Sequence, residues 1–283
     1  MKAIWVLENI KGHHSFYNKF DLLMLFSSVI QWKKHHPEHF CVLYADTLTF
    51  RLLNKMNASP LWDNTKIISK NNNIDKSVFW ASSKLQTLQT VDEPIVLMDN
   101  DFVVYSSFNK YLNDNVIVAH NEDGENYYLN ATDDYIKQVK HLIHRPNLKA
   151  VNCSFIYFPD CDFTKGYANR SIELMEEFTK IKVPTSKYLI YAEQLLLKHM
   201  LDIHNIQYES LVDKVYNCVE DKFIDKCNGL IEYDTHRTYF RHYWKEKPKI
   251  KKSEDGFNYD YEVEQLENIV KNRKLIDWTY IND

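Results

Sequence analysis

Glycine is scarce in this chain of 283 residues. Only Gly12, Gly124, Gly166, Gly229 and Gly256 occur, where average usage would give about twenty. No two stand close enough to form a phosphate-cradling loop or a GxGxxG turn, so P-loop ATPases, kinases and GxGxxG-type dehydrogenases are disfavoured. A nucleotide bound here would need its phosphates held by a metal and side chains. Cysteine is equally uninformative as a framework. Cys41, Cys153, Cys161, Cys218 and Cys227 are odd in number and lack Cys-x-x-Cys spacing, which predicts buried free thiols rather than zinc ligands or disulfides. No apolar run approaches a membrane span, and the opening Met1–Glu8 is too short for a signal peptide, so a cytoplasmic protein is expected. Excess positive charge is also missing: the net charge is −4, against the basic balance of a general nucleic-acid binder.

Hydrophobic residues make up 45% and aromatics 14%, enough to fill a large core and exclude disorder. Residues 3–8 and 41–45 read as strands, 66–68 as a short third strand. The segments 22–34, 48–56 and 78–91 carry helical spacing between them. Strand and helix in alternation predict a mostly parallel central sheet flanked by helices. Val116–Ala119 and Ala150–Phe158 read as two further strands. Helices are expected over 165–181, ended by Pro184, and over 191–201. The segment 245–283 is the most charged and reads as a partly mobile tail.

The most informative run is Pro94-Ile95-Val96-Leu97-Met98-Asp99-Asn100-Asp101-Phe102-Val103-Val104. A fully apolar run behind a breaker reads as a buried parallel strand. Ligands of open α/β sheets sit beyond the carboxyl ends of such strands, which is where Asp99 and Asp101 fall. Two hard oxygen ligands there suit Mn²⁺ or Mg²⁺ holding a diphosphate. An Asp-x-Asp by itself means little, since an acidic chain of this length holds about one by chance. Asp160-Cys161-Asp162 is such a copy: it follows Pro159 without an apolar run leading into it, and reads as loop. His35-His36-Pro37-Glu38-His39 reads as the end of a helix rather than a metal site.

These pieces, taken in order, resemble a nucleotide-sugar glycosyltransferase of the GT-A fold. The resemblance rests on the first strand, a second strand ending in Asp46, a helix with Lys84, and the apolar-Asp-x-Asp-apolar run. It continues through Asn152-Cys153-Ser154, Glu193-Gln194 and His242-Tyr243-Trp244 before Lys245-x-Lys247-Pro248. It spans roughly residues 1–250, and the layout is closest to bacterial and viral DxD-type transferases related to family 8. It implies one GT-A-like α/β domain with a Rossmann-like nucleotide-binding half (1–105) and an acceptor half (106–250). A charged helical tail (251–283) would follow.

The resemblance also implies roles. Asp101 would ligate the metal, Asp99 the metal or the donor ribose, and His242 would be the third ligand, with His236 as its rival. Tyr44 and Asp46 would sit near nucleobase and ribose. Asn100 would face the donor, and Lys84 would reach the donor phosphates or pin Asp99. Lys245 and Lys247 would neutralise the leaving diphosphate. Asn152, Glu193 and Gln194 would face the transferred sugar and the acceptor, with Glu193 the candidate base. Ser154 stands where such enzymes often have glycine. The expected activity is metal-dependent transfer of a sugar from a nucleoside-diphosphate sugar, UDP-sugar favoured, to a hydroxyl of a glycan, protein or modified nucleobase. The alternatives are a metal-dependent nucleotidyl- or phosphotransferase and a non-catalytic nucleotide-sugar-binding relative. The Asn-, Lys- and Ile-rich composition suggests an AT-rich genome, bacterial or viral, hence the cytoplasm of a bacterium or of a virus-infected host cell.

Overall fold

The computed structural model describes residues 1–9, 19–69, 71–123, 133–141, 149–232, 239–243, 259–271 and 276–280. Strands β1 (Lys2–Leu7), β2 (Phe40–Ala45), β3 (Asn64–Ile67) and β4 (Ile95–Met98) alternate with helices α1 (Lys19–His35), α2 (Thr47–Lys55) and α3 (Ser82–Leu88). Next come β5 (Phe102–Val104), β6 (Val116–Val118), β7 (Asn121–Asp123), α4 (Asp134–Gln138), β8 (Lys149–Val151), β9 (Phe155–Phe158) and the long α5 (Cys161–Lys180). Helix α6 (Lys187–Ile190) runs through a π-helical turn, Tyr191–Leu195, into α7 (Leu196–Ile203). Strands β10 (Tyr208–Val212), β11 (Lys214–Asn217), β12 (Lys222–Lys226), β13 (Gly229–Ile231) and β14 (Phe240–His242) follow, then a helix at Tyr259–Lys271.

Eight strands form the central sheet in the order β13-β10-β6-β9-β4-β1-β2-β3. Neighbours run parallel except at β9, which is antiparallel to β4 and β6. The architecture is therefore mixed α/β, a large and mostly parallel sheet with helices on both faces. Alternation along the strands shows why their sequences are apolar throughout. Ile4, Val6, Ile95 and Leu97 face a core shared with α3, α5 and α7. Ala3, Trp5, Leu7, Val96 and Met98 face a second core built on α1. A strand covered on both sides has no polar face to show. A smaller sheet, β12-β11-β7-β8, and the pair β14-β5 complete the fold.

Several expectations are corrected. The run 150–158 is not one strand: it breaks at Asn152-Cys153-Ser154, and its halves join different sheets, β8 pairing with β7 and β9 with β4 and β6. Asn152 Oδ1 accepts the Ser154 N–H at 3.0 Å, a local side-chain turn that competes with the ladder. Asp160-Cys161-Asp162 is no loop. Asp160 is the N-cap of α5, accepting the N–H groups of Asp162 and Phe163. The helix expected over 78–91 shortens to α3, and the one expected from Tyr191 begins at Lys187. Only Cys41 and Cys153 are buried; Cys161, Cys218 and Cys227 are half-buried. The tail is in part a docked helix: Leu266 and Val270 of Tyr259–Lys271 are buried in the α1 core, and Lys19 pairs with Glu267 at 2.8 Å.

Candidate active site

The chain leaves β4 through a tight turn in which Phe102 N–H donates to the Asp99 carbonyl at 3.1 Å. That turn is held from three sides. Asp99 N–H donates to the Ser154 carbonyl at 2.7 Å, Tyr243 N–H donates to the Asp101 carbonyl at 3.0 Å, and Asn100 Nδ2 donates to the Val6 carbonyl at 3.3 Å. Behind it, the Ser28 hydroxyl on α1 accepts from Trp5 Nε1 and donates to the Phe102 carbonyl. Strand β14 lies antiparallel to β5 with His242 opposite Phe102. This register delivers a residue about 140 positions later in the sequence to the Asp-x-Asp turn.

His242 Nε2 stands 3.6 Å from Asp101 Oδ1. Asp99, Asp101 and His242 each offer one ligand atom, and these atoms lie within 4.8 Å of one another. Two carboxylates and an imidazole are a donor set that fits a divalent cation; the carboxylates favour Mn²⁺ or Mg²⁺, and an imidazole is a poorer ligand for Mg²⁺. Among the described residues this is the group that meets that geometry. It lines a cavity of about 580 Å³ that also presents Trp80, Lys84, Glu122, Asn152, Glu193 and Gln194, within the size range of small-ligand sites.

Lys84 is the charge hub of the cavity wall. Its Nζ donates to Asp99 Oδ1 at 2.7 Å and to the Cys153 carbonyl at 3.4 Å, and pairs with Glu193 Oε1 at 3.0 Å. Burial would lower the pKa of this ammonium, but the carboxylates of Asp99 and Glu193 outweigh it and hold Lys84 charged, above its ordinary range. One cation is thus shared between two acids. Burial raises the Glu193 pKa, Lys84 lowers it in part, and Asp99 and Glu122 add to the rise. Glu193 lies in the π-helical turn, a one-residue irregularity that often marks functional positions. Cys153 shares the wall, but burial pushes its thiol well up, so it is no nucleophile.

Two expected donor contacts do other work. Asp46 is the N-cap of α2, accepting from Leu48 N–H, Thr49 N–H and the Thr49 hydroxyl, and from Asn9 N–H at 2.6 Å. Tyr44 is buried in the sheet core, its hydroxyl met by Lys66 Nζ at 3.3 Å. Neither lines the cavity. His36 stacks on Trp32 and accepts the Phe108 N–H at 2.8 Å, a structural role at a helix end. His236, Lys245 and Lys247 lie outside the described residues.

Other cavity residues escape the sequence pattern. Glu8 closes β1, paired with Lys76 and hydrogen-bonded by Ser83. Glu122 sits in β7, where Asn152 Nδ2 donates to its Oε1 at 2.7 Å. Tyr216 and Asp221, hydrogen-bonded to each other, also line it. Glu8 follows an apolar strand, where acidic residues are too common to stand out, and Glu122, Tyr216 and Asp221 lie in or beside the short polar strands β7 and β11, which carry no periodic signal.

The chain belongs to the family of unknown function DUF6734, whose profile matches residues 2–263. No curated protein matches the chain. Among solved structures, the galactosyltransferase LgtC, in complex with donor and acceptor sugar analogs, is similar at 11% identity and a TM-score of 0.43. That similarity covers 74% of this chain and 73% of the other. It is loose, and the functional reading stands on the side chains instead.

Proposed function

We propose that this member of DUF6734 is a Mn²⁺-dependent glycosyltransferase that moves a sugar from a nucleoside-diphosphate sugar to a hydroxyl acceptor. The observation that carries the reading is the convergence of Asp99, Asp101 and His242 at the carboxyl end of β4, inside a cavity of ligand size. Carboxyl ends of parallel strands are where α/β sheets bind their ligands. The scarcity of glycine supports it, because a diphosphate here has no glycine-rich loop to cradle it.

In this reading Asp99, Asp101 and His242 hold the cation. When bound, it supplies a positive centre against which charge on the departing diphosphate is stabilised. The chain's own residues set the stage. Lys84 fixes the Asp99 carboxylate and cancels part of the acid charge of the site. The turn 99–102 is tied by backbone bonds to Ser154, just before β9, and to Tyr243, just after β14, so its carboxylates are held in place before any ligand arrives. Lys245 and Lys247, just past β14 in sequence, are proposed to meet the phosphates. Asn152 and Gln194 are assigned to the sugar and acceptor side, with UDP the favoured nucleotide.

The test is a donor-hydrolysis screen of UDP-, GDP-, TDP- and CMP-sugars with Mn²⁺ and with EDTA, on wild type and Asp101→Ala. Metal-dependent release of one nucleoside diphosphate, lost in a folded Asp101→Ala, is the expected result. Release of pyrophosphate from a nucleoside triphosphate instead would replace the reading with nucleotidyl transfer. Donor binding without turnover at any metal concentration would replace it with a binding protein. No described helix is long and apolar enough to cross a membrane.

A further inference from the structure

Beside Asp99 stands a hydroxyl that the fold leaves unpaired. Strand β9 runs antiparallel to β4, with Phe155 opposite Met98 and Ile156 opposite Leu97. One step further the same register sets Ser154 opposite Asp99, and the bond from Asp99 N–H to the Ser154 carbonyl at 2.7 Å joins the two. Residues directly opposite in such a pair turn their side chains to the same face, with Cβ atoms about 5 Å apart. The Ser154 hydroxyl therefore shares a face with the Asp99 carboxylate. On that face Leu97 and Ile156 meet the core shared with α3, α5 and α7.

The polar groups around it have partners. Ser154 N–H donates to Asn152 Oδ1 at 3.0 Å, and Lys84 Nζ donates to Asp99 Oδ1 and to the Cys153 carbonyl. Ser154 itself is 2% exposed and lines the cavity, and its Oγ has no hydrogen-bond partner among the described residues. Buried hydroxyls left this way are few in folded proteins, because each forgoes a bond that water would have supplied. Alanine would serve packing alone.

We infer that Ser154 is a specificity contact whose hydroxyl bonds a hydroxyl of the sugar carried by the nucleoside diphosphate. The inference rests on the glycosyl-transfer reading above. A serine hydroxyl both donates and accepts, which matches a sugar hydroxyl. It moves by rotation about one torsion, so it can swing from its enclosed position onto a seated ring. Charge decides which part of the donor it meets. This wall carries Asp99 and Glu193, with the Lys84 ammonium divided between them, so a phosphate pressed against it would meet net negative charge. The diphosphate belongs on the cation, and the uncharged sugar belongs against Ser154.

Calorimetric titrations of wild type and Ser154→Ala with Mn²⁺ make the test. The probes are UDP, UDP-glucose and UDP-galactose, then the 2-, 3-, 4- and 6-deoxy forms of the tighter sugar nucleotide. Where a GDP-, TDP- or CMP-sugar binds better, it and its bare nucleotide take their place. Ser154→Ala deletes only an unpaired hydroxyl, so its Tm should hold or rise and it should bind the bare nucleotide as wild type does. Its affinity for the sugar nucleotide should fall about three- to tenfold, what one neutral hydrogen bond contributes. One deoxy donor should bind both proteins equally while the others still separate them, a coupling that a merely structural serine would not produce. Equal affinity of the two proteins for every sugar nucleotide would overturn the assignment and leave the transferase reading standing. So would an equal loss for bare and sugar-bearing nucleotide, or a loss that no deoxy position erases. If wild type binds none of these sugar nucleotides, the transferase reading fails and this inference falls with it.

Discussion

Replacing Lys84 by methionine removes the ammonium that, among the described residues, serves both Asp99 and Glu193. Breaking a buried pair from one side leaves the partner charge uncompensated and typically costs about 3–5 kcal/mol. Glu193 has a route of relief, which is to take up a proton. With an ordinary value near 4.5, holding it neutral at pH 7.5 costs at most about 1.36 × 3, or about 4 kcal/mol, and at pH 5.5 about 1.4 kcal/mol. The sign follows from linkage: removing Lys84 raises the pKa of Glu193 further in the folded state, so the variant loses stability as pH rises. Across 283 residues, an unfolding entropy of about 0.6 kcal/mol/K turns 4 kcal/mol into a Tm loss of about 7 °C at pH 7.5. At pH 5.5 the loss should shrink to about 2–3 °C. Thermal melts in EDTA at the two pH values, with circular dichroism, make the measurement. Adding Glu193→Gln to Lys84→Met should return most of the loss at pH 7.5. A Tm unchanged at pH 7.5, or a loss equal at both pH values, would refute the shared-cation account.

His242→Gln should weaken Mn²⁺ binding about tenfold to a hundredfold by calorimetry while the fold in EDTA is unchanged; equal affinity would remove His242 from the cluster. Burial pushes the His36 pKa down to about 4, so its contribution is present in full above pH 6.5 and lost as pH falls from there to about 4. The ceiling on that loss is about 3 kcal/mol, and urea titrations of wild type and His36→Gln across the window should differ in slope. Asp46→Ala should cost about 1 kcal/mol as a lost N-cap. If capping is its whole role, the donor KM stays unchanged, and a rise of tenfold or more would restore the ribose contact.

The hydrophobic pattern alone was enough to show β1, β2, β4 and their crossover helices, because a strand covered on both faces must be apolar at every position. It also placed Asp99 and Asp101 at a strand's carboxyl end, while Lys84 beside Asp99 was only one of two roles that the family resemblance implied. Other features depend on chain segments far apart. His242 reaches Asp101 only through the β14–β5 register, and a pairing one residue out would have turned its side chain to the other face. Asp46, which the resemblance set near the donor ribose, and Asp160, which read as loop, both cap helices, because an exposed helix N-terminus offers unpaired donors to the nearest carboxylate. The split at Asn152 and the burial of Glu122 had no signal in local periodicity. Local sequence determined the strands β1, β2 and β4 with the helices between them, and which turn carries the acids. Only tertiary structure decided which acid meets Lys84, which meets Asn152 and which meets a histidine, since a charged side chain's partner is set by what the fold packs against it.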